Sequence, residues 1–536
     1  MKRILCMLIC ICMLLPLVGC SISPEGALSQ SSESKREDTT DQTDGSKTDG
    51  FGDQTDGSKT DGSDDQTVGS ELSSSFVQIK GFQQSGRDEY VYYVKGGKRA
   101  ISIESYVTVD EGGTWYLSGD YEGTEIIESK QIDISQVENT CYVHATSKSG
   151  KTQVCTLKVI RTNYAKNNNT IKIGVSGPIT GGAAMYGIAV KNSAQLAVDE
   201  INANGGINGI MLELFMLDDR HDPSRISGNY VELYEWGVQV SLGTVTTKPG
   251  LEFNRLSQAD NLFFLTPSAS GDGVPSCPNG FQMCYSDSNQ GTASAAYFNE
   301  NYVGKRIGVF YKADDEYSVG IKNNFIVSLD KSFGNPTVVS FTDATRDSFA
   351  NQAYALKECD VIFMPIYYDA AAMFMMQGRG VVKDDAVYFG CDGFDGVDCV
   401  DGFDINSITQ EVSMLSHFDV NSISGPVKAF VDTYREAFGK DAPLNQFGAS
   451  AYDCVYAIYE ALKVAVSNGE KISATIHPYD MCEILKGVFN SDDFVFRGIT
   501  GECEDGERSY ISWDENGCVN KRPVKLTVKE ATSELD

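Results

Sequence analysis

Ile171–Gly187 reads I-K-I-G-V-S-G-P-I-T-G-G-A-A-M-Y-G. Ile171, Ile173 and Val175 mark a short buried strand, and the Gly/Pro/Ser/Thr run after them marks a loop. From about Gly187 the apolar residues Val190, Ala194, Ala197 and Ile201 recur at helical spacing. Strand, loop and amphipathic helix together open a βαβ unit, and loops at the carboxyl ends of such strands hold ligands in open α/β sheets. Most of the chain downstream repeats this unit.

The chain has 536 residues, 41% apolar and 10% aromatic, enough for several cores. Its net charge of −30 and lack of a basic patch exclude a nucleic-acid partner. Lys2 and Arg3 precede the apolar run Ile4–Val18, which is too short for a mature membrane span. It ends in Leu17-Val18-Gly19-Cys20, which resembles a bacterial lipobox and implies a signal peptide over 1–20 with Cys20 lipidated. Such an anchor holds a chain to the membrane surface without spanning it.

Residues 21–75 are low in complexity, with D-Q-T-D-G-S-K-T-D-G at Asp41–Gly50 and again at Asp53–Gly62. Thirteen acids against four bases leave this stretch at −9 with little to bury, so it reads as a solvated tether. From 76 to 165 short β runs such as Tyr90–Val94, Thr114–Leu117 and Val154–Ile160 alternate with turns, predicting a small β-sandwich. The hairpin Cys141–Val159 resembles the closing hairpin of bacterial Ig-like domains. Cys141 and Cys155, nearly symmetric about its turn, are expected to form a disulfide.

Over 168–530 strands and helices alternate. Strands are expected at Met211–Leu217, Val238–Leu242, Leu262–Leu265, Ile307–Tyr311, Val338–Phe341, Val361–Pro365, Val387–Gly390 and Val412–Leu415. This predicts parallel sheets with right-handed crossovers, and the length requires two lobes.

The region resembles the type I periplasmic binding proteins, and within them the leucine/isoleucine/valine-binding family of amino-acid ABC importers. The opening stretch is followed in the family's order by A-Q-L-A-V-D-E-I-N-A-N-G-G-I-N-G (Ala194–Gly209), L-D-D-R-H-D-P (Leu217–Pro223), L-T-P-S-A-S (Leu265–Ser270), Y-S-D-S-N-Q-G (Tyr285–Gly291) and A-Y-D-C-V-Y (Ala451–Tyr456). The resemblance implies two doubly wound lobes, about 168–288 with 418–503 and 291–416 with 513–530. Chain crossings are expected near Asp287–Gly291, Ser416–Val420 and Cys503–Trp513.

A zwitterionic amino acid needs donors for its carboxylate and a carboxylate for its ammonium. The resemblance assigns Thr247, with Thr246 beside it, Ser268 through its backbone, and Ser270 to the first task. It assigns Tyr317 as an aromatic closing over the ligand, Tyr368 as reaching the amino group and Asp392 as the ammonium's carboxylate. Tyr186 lines the side-chain pocket in relatives. The competing reading of the Thr and Ser positions is ordinary helix N-capping. Arg220 and His221 replace small residues and are either pocket residues or exposed charges, with exposure the expectation. Asp395, Asp398, Asp401 and Asp404 recur at every third position, as either a calcium site or a solvated acidic face. Cys277–Cys284, Cys391–Cys399 and Cys503–Cys518 are near enough in sequence to bridge, with connectivity left open.

The sequence lacks a G-x-S-x-G elbow, a Walker lysine and H-E-x-x-H, and its four histidines are scattered, so it does not read as an enzyme and implies no cofactor or metal. The expectation is an extracytoplasmic lipoprotein that delivers an amino acid to ABC permease subunits. The alternatives are a sensing or adhesive surface lipoprotein, and binding of amides, urea or other small solutes.

Overall fold

The structure is a computed structural model that describes residues 76–94, 99–162, 169–423, 425–501 and 508–531. The signal segment with Cys20, the tether and Cys503 lie outside the described residues. From 76 to 162 the described elements are all strands: β1 (Val77–Ile79), β2 (Gln83–Gln84), β3 (Glu89–Val94), β4 (Ala100–Ser102), β5 (Val107–Val109), β6 (Thr114–Ser118), β7 (Gln131–Asp133), β8 (Glu138–Thr146) and β9 (Thr152–Arg161). They form a sheet ordered β2-β3-β9-β8-β6 and the pairs β1-β5 and β4-β7. Alternate residues of β8 and β9 (Val143, Ala145, Leu157, Val159) point into one buried core, as the period of two requires.

The expected Cys141–Cys155 disulfide is not formed; both thiols are free. The hairpin register sets Cys141 opposite Leu157 and Val143 opposite Cys155. The cysteines are therefore diagonal neighbours, whose side chains stand roughly 7–8 Å apart, beyond the reach of an S–S bond. Cys277, Cys284, Cys391, Cys399 and Cys518 are free as well.

The first lobe opens with β10 (Thr170–Gly177), buried almost throughout because both of its faces are covered. Its loop meets α1 (Ala184–Ala203), whose residues Val190, Ala194, Ala197 and Ile201 are buried. Gly187 is required where this loop touches the helix, since a Cβ there would lie 1.8 Å from Pro178 O. β11 (Met211–Asp218), α2 (Ile226–Trp236), β12 (Val240–Ser241), α3 (Thr247–Asp260), β13 (Phe264–Thr266) and β14 (Gly280–Gln282) follow. The parallel sheet has the order β11-β10-β12-β13-β14. Its strand order reverses between β10 and β12, where a crevice opens in such sheets.

The second lobe begins with α4 (Asp287–Asn301), β15 (Ile307–Lys312), α5 (Glu316–Ser328), β16 (Thr337–Phe341), α6 (Ala350–Leu356), β17 (Val361–Met364), α7 (Tyr368–Gly378), β18 (Val387–Gly390) and β19 (Glu411–Ser416). The chain then returns to the first lobe with α8 (Gly425–Phe438), α9 (Gln446–Ser467), α10 (Pro478–Phe489) and the pair β20 (Phe496–Gly498) and β21 (Ser509–Ile511). α9 lies along α1, with Tyr452 and Tyr456 both donating to Glu200 Oε2 at 2.6 and 2.7 Å. β22 (Val524–Lys529) closes the second sheet, antiparallel to β19, in the order β16-β15-β17-β18-β19-β22. Five of its strands thus repeat the order of the first lobe.

The lobes are joined at 283–286, 417–419 and 519–523. Trp513 still packs on Phe489 and donates to Gln282 O at 2.7 Å, so the third passage falls after the expected Cys503–Trp513. The β-domain touches α10, where Arg99 pairs with Asp480 and lies 5.2 Å over the Tyr479 ring.

Candidate ligand-binding cleft

The loops after β10, β11 and β12 face those after β15, β17 and β18. On the first-lobe wall, Thr246 is the N-cap residue of α3, with φ −128° and ψ 154°, but its hydroxyl makes no capping bond. It is 2.8 Å from His221 Nδ1 instead. Thr247 Oγ1 accepts the Gly271 N–H at 3.0 Å, and Ser268 Oγ donates to Val245 O. Helix capping therefore does not account for Thr246 and Thr247, and the first turn of α3 presents backbone donors suited to an anion. The Ser270 carbonyl accepts the Asp287 N–H at 2.9 Å.

On the second-lobe wall, Tyr317 occupies the first turn of α5 and donates to Asp392 Oδ1 at 2.6 Å. The same hydroxyl accepts the Gly393 N–H at 2.9 Å and lies 2.9 Å from Cys391 Sγ. Gly393 is obligatory in this knot, since a Cβ there would stand 2.6 Å from both Ile366 O and the Tyr317 hydroxyl. Tyr367 stacks on Tyr317 at 4.8 Å and 9°. Tyr368, at the start of α7, meets the Tyr186 ring edge-on at 5.0 Å.

Contacts across the cleft join the walls. Tyr186 of α1 donates to Gly393 O at 2.6 Å, and His221 meets Tyr367 at 5.4 Å. The Gln446 N–H at the start of α9 donates to Asp395 Oδ2 at 2.8 Å. Lys248 donates to Asp314 O and lies 3.5 Å from Glu316.

Carboxyl groups dominate the electrostatics. Asp392 is 2% exposed, and burial pushes its carboxyl up to about 6 against the hydrogen bond from Tyr317. Burial holds Asp287 well above the usual carboxylate range, and the nearby Asp392 adds to this while Ser270 opposes it. Asp287 Oδ1 has no hydrogen-bond partner, and among the described residues neither carboxyl has an ion-pair partner. Two buried carboxyls with no cation beside them form a site that a ligand's ammonium would complete.

Tyr186, Tyr317, Tyr368 and Asp392 thus come together directly. Thr246 joins them through His221 and Tyr367. Thr247, Ser268 and Ser270 cluster on the opposite wall, with Ser270 linked to the carboxyl pair through Asp287. Arg220 is exposed as expected; His221 is not, and its imidazole is pushed down to about 4, chiefly by burial. Both have positive φ, 56° and 61°, a turn that swings His221 into the cleft. An open cavity of about 480 Å³ lies above this floor, lined by His221, Lys248, Lys312, Asp315, Arg346 and Tyr367 among others. Its wall is made by neighbours of the expected residues rather than by those residues themselves. Asp287, Gln290, Tyr367 and Asp395 are additions that the sequence reading did not assign. The first two lie inside the quoted motif Tyr285–Gly291, and Tyr367 stands beside Tyr368.

The Asp395 series divides. Asp395 meets α9, Asp404 caps the turn Ile405–Ser407, and Asp398 and Asp401 are exposed. Among the described residues no group of three His, Cys, Asp or Glu side chains could hold a metal ion.

Residues 170–479 match the periplasmic binding protein family. Over 324 residues the chain is 26% identical to a leucine-, isoleucine-, valine-, threonine- and alanine-binding protein of Pseudomonas aeruginosa, covering 59% of this chain and 84% of that protein. The solved structure of a leucine-binding protein from Thermotoga maritima covers 68% of this chain and 97% of its own, with 24% identity and a TM-score of 0.56. A solute-binding protein of Rhodopseudomonas palustris in complex with benzoate covers 68% and 94%, with 16% identity and a TM-score of 0.56. The bilobed fold with a cleft between two doubly wound sheets is that of a solute-binding protein. The chain belongs to the type I periplasmic binding proteins, in the family of the branched-chain amino acid transporters. Members of this family are solute-binding proteins that work outside the cytoplasm.

Proposed function

We propose that this chain is the substrate-binding lipoprotein of an ABC importer, held to the membrane by a lipid on Cys20, and that its lobes close on an amino acid for delivery to a permease. The buried pair Asp392 and Asp287, with no ion-pair partner among the described residues, carries the reading, because the amine of a ligand would supply the missing positive charge. Asp392 takes the ammonium, with Tyr317 and Tyr368 around it. Thr246, Thr247, Ser270 and the Ser268 backbone take the carboxylate, and Tyr186 bounds the side chain. Closure is a population shift toward the state in which both walls touch the ligand. The β-domain of 76–165 is Ig-like and spaces the bilobed part of 168–530 from the tether of 21–75.

A thermal-shift screen of the protein against the twenty amino acids, amides, urea and aromatic acids tests this, since a specific ligand raises the melting temperature by mass action. Stabilisation by aliphatic amino acids that disappears in Asp392→Ala supports the assignment. Stabilisation only by a ligand without an amine overturns it.

A further inference from the structure

A second cavity, of about 410 Å³, lies among the three passages between the lobes and shares no lining residue with the outer cavity of the cleft. α4, just after the first passage, contributes Gln290, Ala293 and Ser294; Leu415 stands at the end of β19 before the second; Val519, Lys521 and Arg522 belong to the third. The volume is that of a small-molecule site.

Its chemistry is one-sided. In a chain of net charge −30, the wall carries Lys521 and Arg522 and no Asp or Glu. The charge of Lys521 also reaches the buried Asp453. Ser294 is 1% exposed and Gln290 5%, and both Ser294 Oγ and Gln290 Nε2 lack a hydrogen-bond partner. Buried donors without acceptors cost free energy that a ligand's oxygen atoms recover. The remaining wall, including Ala293, Ala296, Leu415, Val519 and Pro523, is apolar.

We propose that this hinge cavity is a second binding site, for a small organic carboxylate with an apolar body. Its carboxylate meets Ser294, Gln290 and the cations, and its body lies against Ala293 and Leu415. Gln290 and Cys391 form a thin partition toward the cleft. Gln290 Oε1 accepts the Asp392 N–H at 3.2 Å, and Cys391 Sγ touches the Tyr317 hydroxyl. The cavity is present with the lobes in contact, so its occupant favours closure and tightens binding in the cleft.

Titration calorimetry with hexanoate as the probe tests the site, and hexylamine is the charge control. The expected result is saturable hexanoate binding that persists in Asp392→Ala, falls at least tenfold in Ala293→Phe, which fills the cavity, and weakens in the exposed Arg522→Glu. Arg522→Glu leaves the buried wall intact, so it remains informative if Ala293→Phe does not fold. No saturable binding, equal binding of hexylamine, or loss of hexanoate binding in Asp392→Ala overturns the proposal. The coupling arm rests on the amino-acid reading: saturating hexanoate tightens leucine binding by about fivefold or more. Unchanged or weakened leucine affinity removes the coupling, whereas leucine that fails to bind at all counts against the cleft reading and leaves the direct hexanoate result standing.

Discussion

Replacing Asp392 by Asn should have opposite effects on stability and on binding. In the ligand-free protein burial lifts the Asp392 carboxyl from 3.8 to about 6, so keeping it ionised at neutral pH costs the folded state ~3 kcal/mol. Asn keeps an oxygen for the Tyr317 hydroxyl and removes the charge. Over a cooperative unit of roughly 360 residues this predicts a melting temperature about 4 °C higher at pH 7.5. The sign follows from the raised value. Below pH 3.8 the carboxyl is neutral whether folded or unfolded and the variant gains nothing. The advantage grows as pH rises and is complete above about 6. Binding runs the other way. Losing the partner of a desolvated ammonium costs roughly 3 kcal/mol, about a hundredfold in Kd. Wild-type affinity should also weaken as pH falls through 6, because the ligand needs the carboxylate, whereas the weak binding of the variant should be flat there. Calorimetric melting and titration from pH 4 to 8 measure both quantities. A variant that melts lower without ligand, or binds as tightly as wild type, rules out a buried, charged Asp392 as the partner of the ligand's amine.

Other perturbations separate the parts of the cleft. Tyr317→Phe removes the bond to Asp392 and leaves the buried Gly393 N–H without its acceptor, so amino-acid affinity should fall about tenfold by titration. Lys248→Ala breaks the contact with Asp314 and Glu316 across the cleft; that pair is part-exposed and worth at most ~1 kcal/mol, so stopped-flow should show ligand leaving up to about fivefold faster with the melting temperature nearly unchanged. Asp453→Ala strips the buried acceptor of the Ile499 and Thr500 N–H groups and the Thr500 hydroxyl; denaturant unfolding should show a loss of roughly 2–4 kcal/mol.

Much of this architecture was legible because its signals are local. A buried strand, a Gly/Pro loop and a helical period define β10 and α1, and the same alternation recurs through β19. The ordered motifs extended that reading to eight expected binding positions, four of which come together, Tyr317 on Asp392 and Tyr368 on Tyr186, which in turn reaches Gly393. What was not legible depends on side-chain direction and register. Asp287–Gly291 reads as a passage between lobes, and nothing in its composition says that Asp287 and Gln290 turn inward to Asp392. His221 reads as a surface residue because the positive φ that turns it into the cleft is a property of the folded turn. The even spacing of Asp395, Asp398, Asp401 and Asp404 suggested one shared role, yet the chain turns between them and sends Asp395 alone to α9. The Cys141–Cys155 pair failed on a two-residue offset in the β8–β9 register, which the near-symmetry of the sequence concealed.

The most direct test of the account is a crystal structure with the amino acid that stabilises the protein most in the thermal screen. The ligand's amine nitrogen should lie about 3 Å from the Asp392 carboxylate, and its carboxylate on the Thr247 and Ser270 side. A ligand resting on Lys248 and Arg346 in the outer cavity, with its amine away from Asp392, would contradict that placement.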